Sequence, residues 1–217
     1  MNIFRAFIPL VCCAALAGCI SIGGSDSKDK TPTSTYTLHP KDTAPAPAKG
    51  AAAVVVPKPE LPPGLAGTQR IALVFGQGAQ MDYYADARWS AGLDDLMQAV
   101  LIQAARSGLK GTVVNTPELG ASARAKLAVK VTEFQPVYKD APDTIPTLTV
   151  GLTVTVLAQP GGATLTQFSV KKTAPASANT LTEVTKGLES LLQAAAEEAV
   201  QKASPALQSS AAKTPGS

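Results

Sequence analysis

Two stretches of the chain carry apolar residues at the spacing of an amphipathic helix. Such residues recur at intervals of three and four positions, which places each set on one helix face. The first set is Leu93, Leu96, Met97, Val100, Leu101, Ala104 and Ala105, and the second is Leu181, Val184, Leu188, Leu191, Leu192, Ala195, Ala199 and Val200. The pattern predicts one helix shortly after residue 90 and a second over about 181–203.

Residues at the ends of both stretches predict where the helices begin and end. Ser90 is suited to be the N-cap of the first helix, and Gly108 can take the left-handed conformation just past its end. Thr180 and Glu183 have the spacing of a capping box before the second helix. Pro205 is expected to end that helix because proline has no backbone N–H.

Six further stretches have the pattern of β-strands. The clearest two alternate apolar and polar residues, so that one face is apolar and the other carries lysines and threonines. The predicted strands are 53–57, 70–76, 112–115, 125–134, 147–158 and 164–172. The first is bounded by prolines and is interpreted as an edge strand or extended arm. A bulge is suspected in the last, whose faces are not assigned.

The order of these elements is β, β, α, β, β, β, β, α. A sheet with one polar face and two amphipathic helices predicts an α+β two-layer sandwich, with a mixed or antiparallel sheet. Both helices would pack on one face, while the lysines and threonines of the other face meet water.

The first residues are typical of a lipoprotein signal peptide. Arg5 precedes the apolar run 6–17, which is shorter than the ~20 residues needed for a membrane-spanning helix. The run ends in "LAGC" (16–19), which resembles a lipobox. The resemblance implies cleavage between Gly18 and Cys19, removal of residues 1–18, and lipid on Cys19. That lipid would be the only covalently bound group, and no other cofactor is expected.

Low-complexity sequence flanks the predicted domain on both sides. Residues 19–52 are rich in Gly, Ser, Pro and Ala and predict a flexible tether, which contains His39. The domain is expected to span 53–203, and the tail 204–217 to be disordered. The three cysteines are Cys12, Cys13 and Cys19, so no thiol is left in the domain for a disulfide or a metal.

Composition excludes several classes of function. A formal net charge of +3 over 217 residues, without a cluster of basic residues, argues against nucleic-acid binding. The domain from residue 53 onward has no His or Cys, so nucleophilic catalysis and zinc binding are not expected. We therefore predict a protein that is not an enzyme and binds no metal.

The stretch "MDYYADARWSAGLDDL" (81–96) contains the only tryptophan, Trp89. Together with Tyr84 and Arg88 it has two interpretations: a binding or docking site, or a structural corner where a strand leads into a helix. The structural interpretation is favoured, because an aromatic side chain of this size buries about 150–250 Å². Arg88 would then hold local carbonyls or an acid.

The ordered set of motifs resembles the ABC-type transport auxiliary lipoproteins, the family of the paraquat-inducible protein C lipoprotein. The matching pieces are "LAGC" (16–19), "TYTLHP" (35–40), "VVVPKPELPPGLAGTQRIAL" (54–73) and "YYADARWSAGLDDLMQAVLIQAARSG" (83–108). The resemblance covers roughly residues 35–203.

The resemblance implies a non-catalytic subunit of an MCE-type ABC transport system that moves phospholipids between the inner and outer membranes. The lipoprotein would be anchored in the outer membrane, face the periplasm, and bind the MCE protein with its permease and ATPase. Ile20, in place of an Asp retention signal after Cys19, agrees with outer-membrane sorting. The alternatives are a lipid-carrying module with its own cavity, and an envelope-assembly lipoprotein for lipopolysaccharide export or peptidoglycan synthesis. No oligomeric state is predicted.

Two surfaces are candidates for docking a partner. One is the polar sheet face with Lys126, Lys130 and the threonines 147, 149, 153 and 155. The other is the free edge expected of the strand 53–57, which could add to a partner's sheet. Docking is favoured over lipid carriage, because both apolar stripes are only wide enough to cover the sheet and leave little for a cavity.

Lipid attachment at Cys19 is tested by Cys19→Ser. The variant should accumulate as an unprocessed or soluble precursor, whereas the wild-type protein should incorporate labelled palmitate and fractionate with outer membranes. Recovery of wild-type protein in the soluble periplasm would contradict the anchor.

Overall fold

The computed structural model describes residues 33–41, 53–76, 80–109, 113–115, 123–139 and 141–212. The signal peptide and Cys19 lie outside these ranges. The elements are β1 (Ser34–Tyr36), β2 (Ala53–Val55), β3 (Arg70–Phe75), β4 (Gln80–Trp89), α1 (Leu93–Gly108), β5 (Val113–Asn115), β6 (Ala123–Tyr138), β7 (Thr147–Ala158), β8 (Thr164–Pro175) and α2 (Leu181–Ala212).

The strand β6 is the centre of a mixed, eight-stranded sheet. The strand β7 runs antiparallel along the length of one edge of β6, and β8 follows β7 in the same manner. The alternation read from the sequence matches this arrangement, since Leu127, Val129 and Val154 are all at most 4% exposed. The suspected irregularity near the start of β8 is present, because the register shifts between Val156 and Leu157.

Along its other edge β6 meets three partners in succession. These are β2, an isolated bridge at Glu60, and β3, all parallel to β6. The strand β4 then pairs antiparallel with β3, β1 lies parallel to β4, and β5 lies parallel to the free side of β2. The α+β two-layer sandwich predicted from the pattern is confirmed.

The strand β1 corrects the predicted boundary of the domain. Residues 34–36 were assigned to the flexible tether, but they pair with residues 87–89 of β4. Leu38 is 3% exposed and belongs to the core. This short polar segment with one buried leucine has no hydrophobic periodicity that would indicate a strand. Its composition therefore led to the wrong assignment. Residues 42–52 of the predicted tether lie outside the described residues.

Both helices cover the same face of the sheet. The helix α2 lies against β6, β7 and β8, and α1 packs beside it and contacts β5. Two glycines permit close approach: a Cβ at Gly108 would lie 2.6 Å from Val200 Cγ1, and a Cβ at Gly187 would overlap Leu148 Cδ1. Gly108 is therefore a helix–helix contact inside α1, and its predicted role as the residue past the helix end is wrong.

The helix α2 continues through Pro205 to Ala212, so the predicted stop at residue 203 is wrong. Proline inside a helix removes one backbone hydrogen bond and costs about 3 kcal/mol. Beyond it, Leu207 is 2% exposed and Ala206 packs against the core. Burial of this turn offsets the cost of the proline, and only residues 213–217 of the predicted tail lie outside the described part.

The helix starts agree with the sequence in part. The N-cap of α1 is Gly92, without a side-chain cap, and not Ser90. At α2 the backbone N–H of Glu183 donates to Thr180 Oγ1 at 3.4 Å, which is half of the predicted capping box. The Glu183 carboxylate instead accepts a hydrogen bond from Ser177 Oγ at 2.5 Å.

The aromatic stretch, which was not among the six predicted strands, forms β4, and its end is the strand-to-helix corner before α1. Trp89 is the last residue of β4, is 1% exposed, and comes three residues before Gly92, the N-cap of α1. Its ring lies against Phe134 of β6, with centroids 5.9 Å apart, and its backbone N–H donates to Gln69. Trp89 therefore joins the β4–α1 connection to the middle of the sheet.

Trp89→Ala should lower the free energy of unfolding by about 3–5 kcal/mol, as large truncations in a packed core do. Denaturant unfolding followed by circular dichroism measures this loss. Trp89→Phe is the matched control and should cost much less. Wild-type fluorescence should be blue-shifted in the folded protein; a solvent-like spectrum with unchanged stability for Trp89→Ala would contradict the core position.

Candidate docking surfaces

The three residues singled out in the aromatic stretch do not form one site. Trp89 is in the core, while the hydroxyl of Tyr84 hydrogen-bonds that of Tyr138 at 2.8 Å. Burial, followed by this hydrogen bond, raises the pKa of Tyr84 above its usual range. Tyr138 also donates to Asn179 Oδ1 at 2.9 Å, which connects β4 and β6 to the start of α2.

Arg88 is exposed and lies on β4 between Tyr84 and Trp89. Its side chain has no hydrogen bond or ion pair within the described part of the chain, so the expected contact with carbonyls or an acid is not found. Tyr84 and Trp89 are structural, whereas Arg88 is available at the surface.

The polar sheet face lies opposite the helices and carries paired charges. Lys130 Nζ is 2.8 Å from Glu60 Oε1, and Lys171 Nζ is 2.7 Å from Glu133 Oε2. The predicted row of outward threonines is uneven: Thr147 is exposed, but Thr149 is only 6% exposed. Around these two ion pairs the face is hydrophilic and close to neutral, so charge alone gives this part of it little preference for a partner.

The free edge expected at strand 53–57 does not exist. The strand β2 (Ala53–Val55) lies between β6 and β5, and both of its sides are hydrogen-bonded. The periodicity of a three-residue run cannot show how many neighbours it has, which is why the sequence failed here.

The long free edge belongs to β8, which pairs only with β7. In the described part of the sheet the other edge strands, β1 and β5, have three residues each, whereas β8 has twelve. Its first seven residues (164–170) are uncharged, and Leu165 is 41% exposed. Charges and prolines are the usual protection of a free edge. Here they occur only in its second half, at Lys171, Lys172 and Pro175.

The second half of β8 is tied to α2 by an ion-pair cluster. Glu198 of α2 lies 2.5 Å from Lys172 Nζ and 2.7 Å from Lys202 Nζ. The hydrogen bond from Lys172, followed by that from Lys202, lowers the pKa of Glu198 from its ordinary value of 4.5 to about 2. The cluster holds α2 against β8, the edge strand of the sheet.

A groove of about 530 Å³ runs between α1 and α2 on the side away from the sheet. Its lining is mostly small residues and amides, namely Val100, Gln103, Ala104, Ser107, Gly108, Gln193, Gln201, Ser204, Pro205 and Gln208, with the charged Lys41 and Glu197. The volume is within the range of small-molecule sites.

The segment after β1 crosses both helices at this groove. Gln193 Nε2 donates to the His39 carbonyl at 2.8 Å, Gln103 Nε2 donates to the Lys41 carbonyl at 2.5 Å, and Lys41 Nζ is 2.7 Å from Glu197. His39 was expected to be solvated in a linker; its ring is exposed but lies 3.2 Å from Glu189 Oε2.

The described residues contain no group of His, Cys, Asp and Glu side chains arranged to hold a metal ion. His39 is the single histidine and has neither a hydroxyl nor a thiol among its hydrogen-bond partners. The sites that the geometry offers are surfaces: the β8 edge, the polar sheet face and the helix groove.

A family model for the ABC-type transport auxiliary lipoprotein component matches residues 36–200. The chain belongs to this family. The match begins in β1, in agreement with the corrected domain boundary. No helix in the described part of the chain has the length and apolar character needed to cross a membrane.

Two crystal structures have a fold similar to that of this chain. A protein from Xanthomonas campestris is 18% identical, with a TM-score of 0.67 over 81% of this chain and 97% of that one. An uncharacterized protein is 20% identical, with a TM-score of 0.60 over 80% and 97% of the two chains. No curated protein sequence matches this chain.

The ion-pair cluster predicts a dependence of stability on pH. Because the pKa of Glu198 is lowered in the folded state, its contribution is present above pH 4.5 and is lost as the pH falls towards 2. Thermal melting should show wild type more stable than Glu198→Gln at pH 7, with the difference vanishing near pH 2. Asp143→Asn, at an exposed acid, controls for the loss of a negative charge. A pH-independent difference for Glu198→Gln would contradict the assignment.

Proposed function

We propose that this lipoprotein is a non-catalytic subunit of an MCE-type ABC transport system for phospholipid, anchored by Cys19 in the outer membrane and facing the periplasm. Its role is to dock the periplasmic MCE protein, which connects that protein and its permease and ATPase to the outer membrane. The observation that carries the proposal is the family match over residues 36–200, which describes a transport auxiliary component.

The chemistry of the described surfaces supports a non-catalytic role. The strongly shifted groups are Tyr84, which is hydrogen-bonded between strands, and Glu198, which is held between two lysines. Each shift has a structural explanation. A docking subunit requires surfaces and no reactive group.

Docking is favoured over lipid carriage by the packing between the layers. The α2 backbone approaches β7 so closely that a methyl group at Gly187 would overlap Leu148, and α1 and α2 meet at Gly108. The apolar stripes of both helices are used against each other and the sheet. An acyl chain would have to separate these contacts in order to enter.

The edge of β8 is the surface best suited to a protein partner. Its outward backbone N–H and C=O groups have no strand partner in the described sheet. Main-chain hydrogen bonds to an added strand are a common mode of peptide recognition. The uncharged residues 164–170 leave this part of the edge open to such pairing.

A lipid-carrying role remains the second candidate because of the helix groove. Its volume of 530 Å³ suits one acyl chain or a small ligand, and its floor contains Val100, Ala104 and Pro205. The groove is open to solvent and its rim is rich in amides, which fits transient contact better than carriage.

The test is to titrate the unlipidated mature chain, residues 20–217, against the periplasmic part of the MCE protein by calorimetry. Hydrogen exchange should show slower exchange of β8 amides in the complex, whereas β7 amides, already paired on both sides, should change little. The same preparation, analysed by mass spectrometry, should contain no stoichiometric phospholipid.

Two results would contradict the proposal. Stoichiometric bound phospholipid without MCE binding would establish the carrier role. MCE binding that leaves β8 exchange unchanged would retain the docking function but place it on another surface.

A further inference from the structure

Four side chains form a continuous row on the sheet face opposite the helices. We call Arg70, Met81, Tyr83 and Arg88 the outer-face row. Met81 is 42% exposed, both arginines are exposed, and Tyr83 is half-buried. Tyr83 packs partly against the core, whereas core packing does not explain the exposed Arg70, Met81 and Arg88.

The strand geometry places the two arginines side by side. Arg70 of β3 is the register partner of Arg88 of β4. Their neighbours Ile71 and Trp89 are each 1% exposed and point into the core. Because successive side chains on a strand alternate between faces, both arginines lie on the outer face.

Tyr83 and Met81 extend the row along β4. The Arg70 guanidinium carbon is 4.0 Å from the centroid of the Tyr83 ring, which places the two side chains on the same face. Tyr83 donates its hydroxyl proton to the Gly64 carbonyl at 2.8 Å, and a Cβ at Gly64 would lie 2.7 Å from Met81 Sδ. Gly64 therefore borders both side chains on the outer face.

The two arginines form no ion pair within the described part of the protein, whereas Lys130 and Lys171 on the same sheet face each have a glutamate. Asp86, two positions before Arg88, lies on the same face by the alternation that places Ala87 in the core, and it offsets one of the two positive charges at longer range. Asp82 alternates to the opposite side from Met81 and Tyr83, and its Oδ1 accepts the Tyr83 backbone N–H at 2.7 Å. Like charges directly opposite each other in a sheet are destabilising.

The row lies beside the first strand that follows the anchor in the sequence. Thr35 of β1 is the register partner of Arg88. Ser34 comes fifteen positions after Cys19, and fifteen residues span at most about 50 Å even when fully extended. A lipid on Cys19 would therefore hold this part of the sheet within reach of the membrane.

We propose that the outer-face row is a membrane-contact site that binds the phosphate groups of anionic phospholipids. The guanidinium groups supply paired donors for phosphate oxygens, Tyr83 lies at the level of the headgroups, and Met81 enters the boundary of the acyl chains. Contact orients the domain so that the polar sheet face turns towards the lipid and the helix layer turns away. This inference rests on the lipid anchor of the proposed function.

An exposed methionine in the row favours a lipid surface over an acidic protein segment. An acidic peptide would be matched by the two arginines alone, whereas a membrane interface also accepts an apolar side chain next to an aromatic one. The site is thus defined by the combination of charge, aromatic ring and thioether on one face.

The test measures binding of the unlipidated mature chain, residues 20–217, to vesicles by co-sedimentation. This chain contains all the described elements, whose core residues lie between Leu38 and Leu207. Partitioning should be stronger for vesicles that contain phosphatidylglycerol than for pure phosphatidylcholine, and should weaken with added salt.

The double variant Arg70→Ala, Arg88→Ala should bind phosphatidylglycerol vesicles about thirtyfold more weakly, as expected for two basic residues near an anionic surface. Met81→Ser should weaken binding to a smaller degree. The matched control is Arg106→Ala, Lys186→Ala, which removes the same charge from α1 and α2, in the layer that turns away from the membrane, and should bind nearly as the wild type does. Thermal melting verifies that every variant is folded.

Two results would overturn the inference. One is wild-type binding to vesicles without a preference for phosphatidylglycerol. The other is a loss of vesicle binding in the control variant as large as in the arginine variant, which would indicate non-specific electrostatic attraction. If the arginine variant loses MCE binding while the wild type ignores vesicles, the row docks protein and not lipid. Because the vesicle assay contains no MCE protein, its outcome is independent of the titration that tests the proposed function.

Discussion

The contact between α2 and the long strands β6, β7 and β8 is the constraint on which the rest of the structure depends. One apolar face of these strands must be covered, and α2 supplies a stripe from Val184 to Leu207 that extends over it. Without cysteines in the described ranges, no disulfide supports this packing. The helix is kept in place by close approach at Gly187 and by the charge cluster at Glu198.

This packing decides what kind of function the protein can have. Since the interior between the layers is filled, ligands and partners must meet the outside of the molecule. The exterior divides into three regions of different chemistry: the groove between the helices, the open edge of β8, and the sheet face with its row of arginines. A lipoprotein of a transport system needs to contact both a membrane and a protein, and separate surfaces are available for the two.

The three consecutive residues "ARW" (87–89) have different roles, although they belong to one motif. Ala87 and Trp89 face the core, while Arg88 between them faces outwards. Tyr84, Arg88 and Trp89 lie within six residues of sequence and were interpreted together. The strand alternation of β4 separates them, and Arg88 is brought beside Arg70, which no sequence motif had indicated.

Local periods in the sequence are enough to predict the α+β class, both apolar helix stripes and the alternation of β6 and β7, because burial imposes each period over many residues. The motifs also indicated the family to which the chain belongs. The positions and pairings of the short elements depend instead on tertiary contacts. The strand β1 is held by β4, β2 is enclosed between β6 and β5, and the turn after Pro205 is held by burial of Leu207. The arginine pair likewise arises from strand register. These features depend on contacts between residues distant in sequence, for which a local pattern contains no signal.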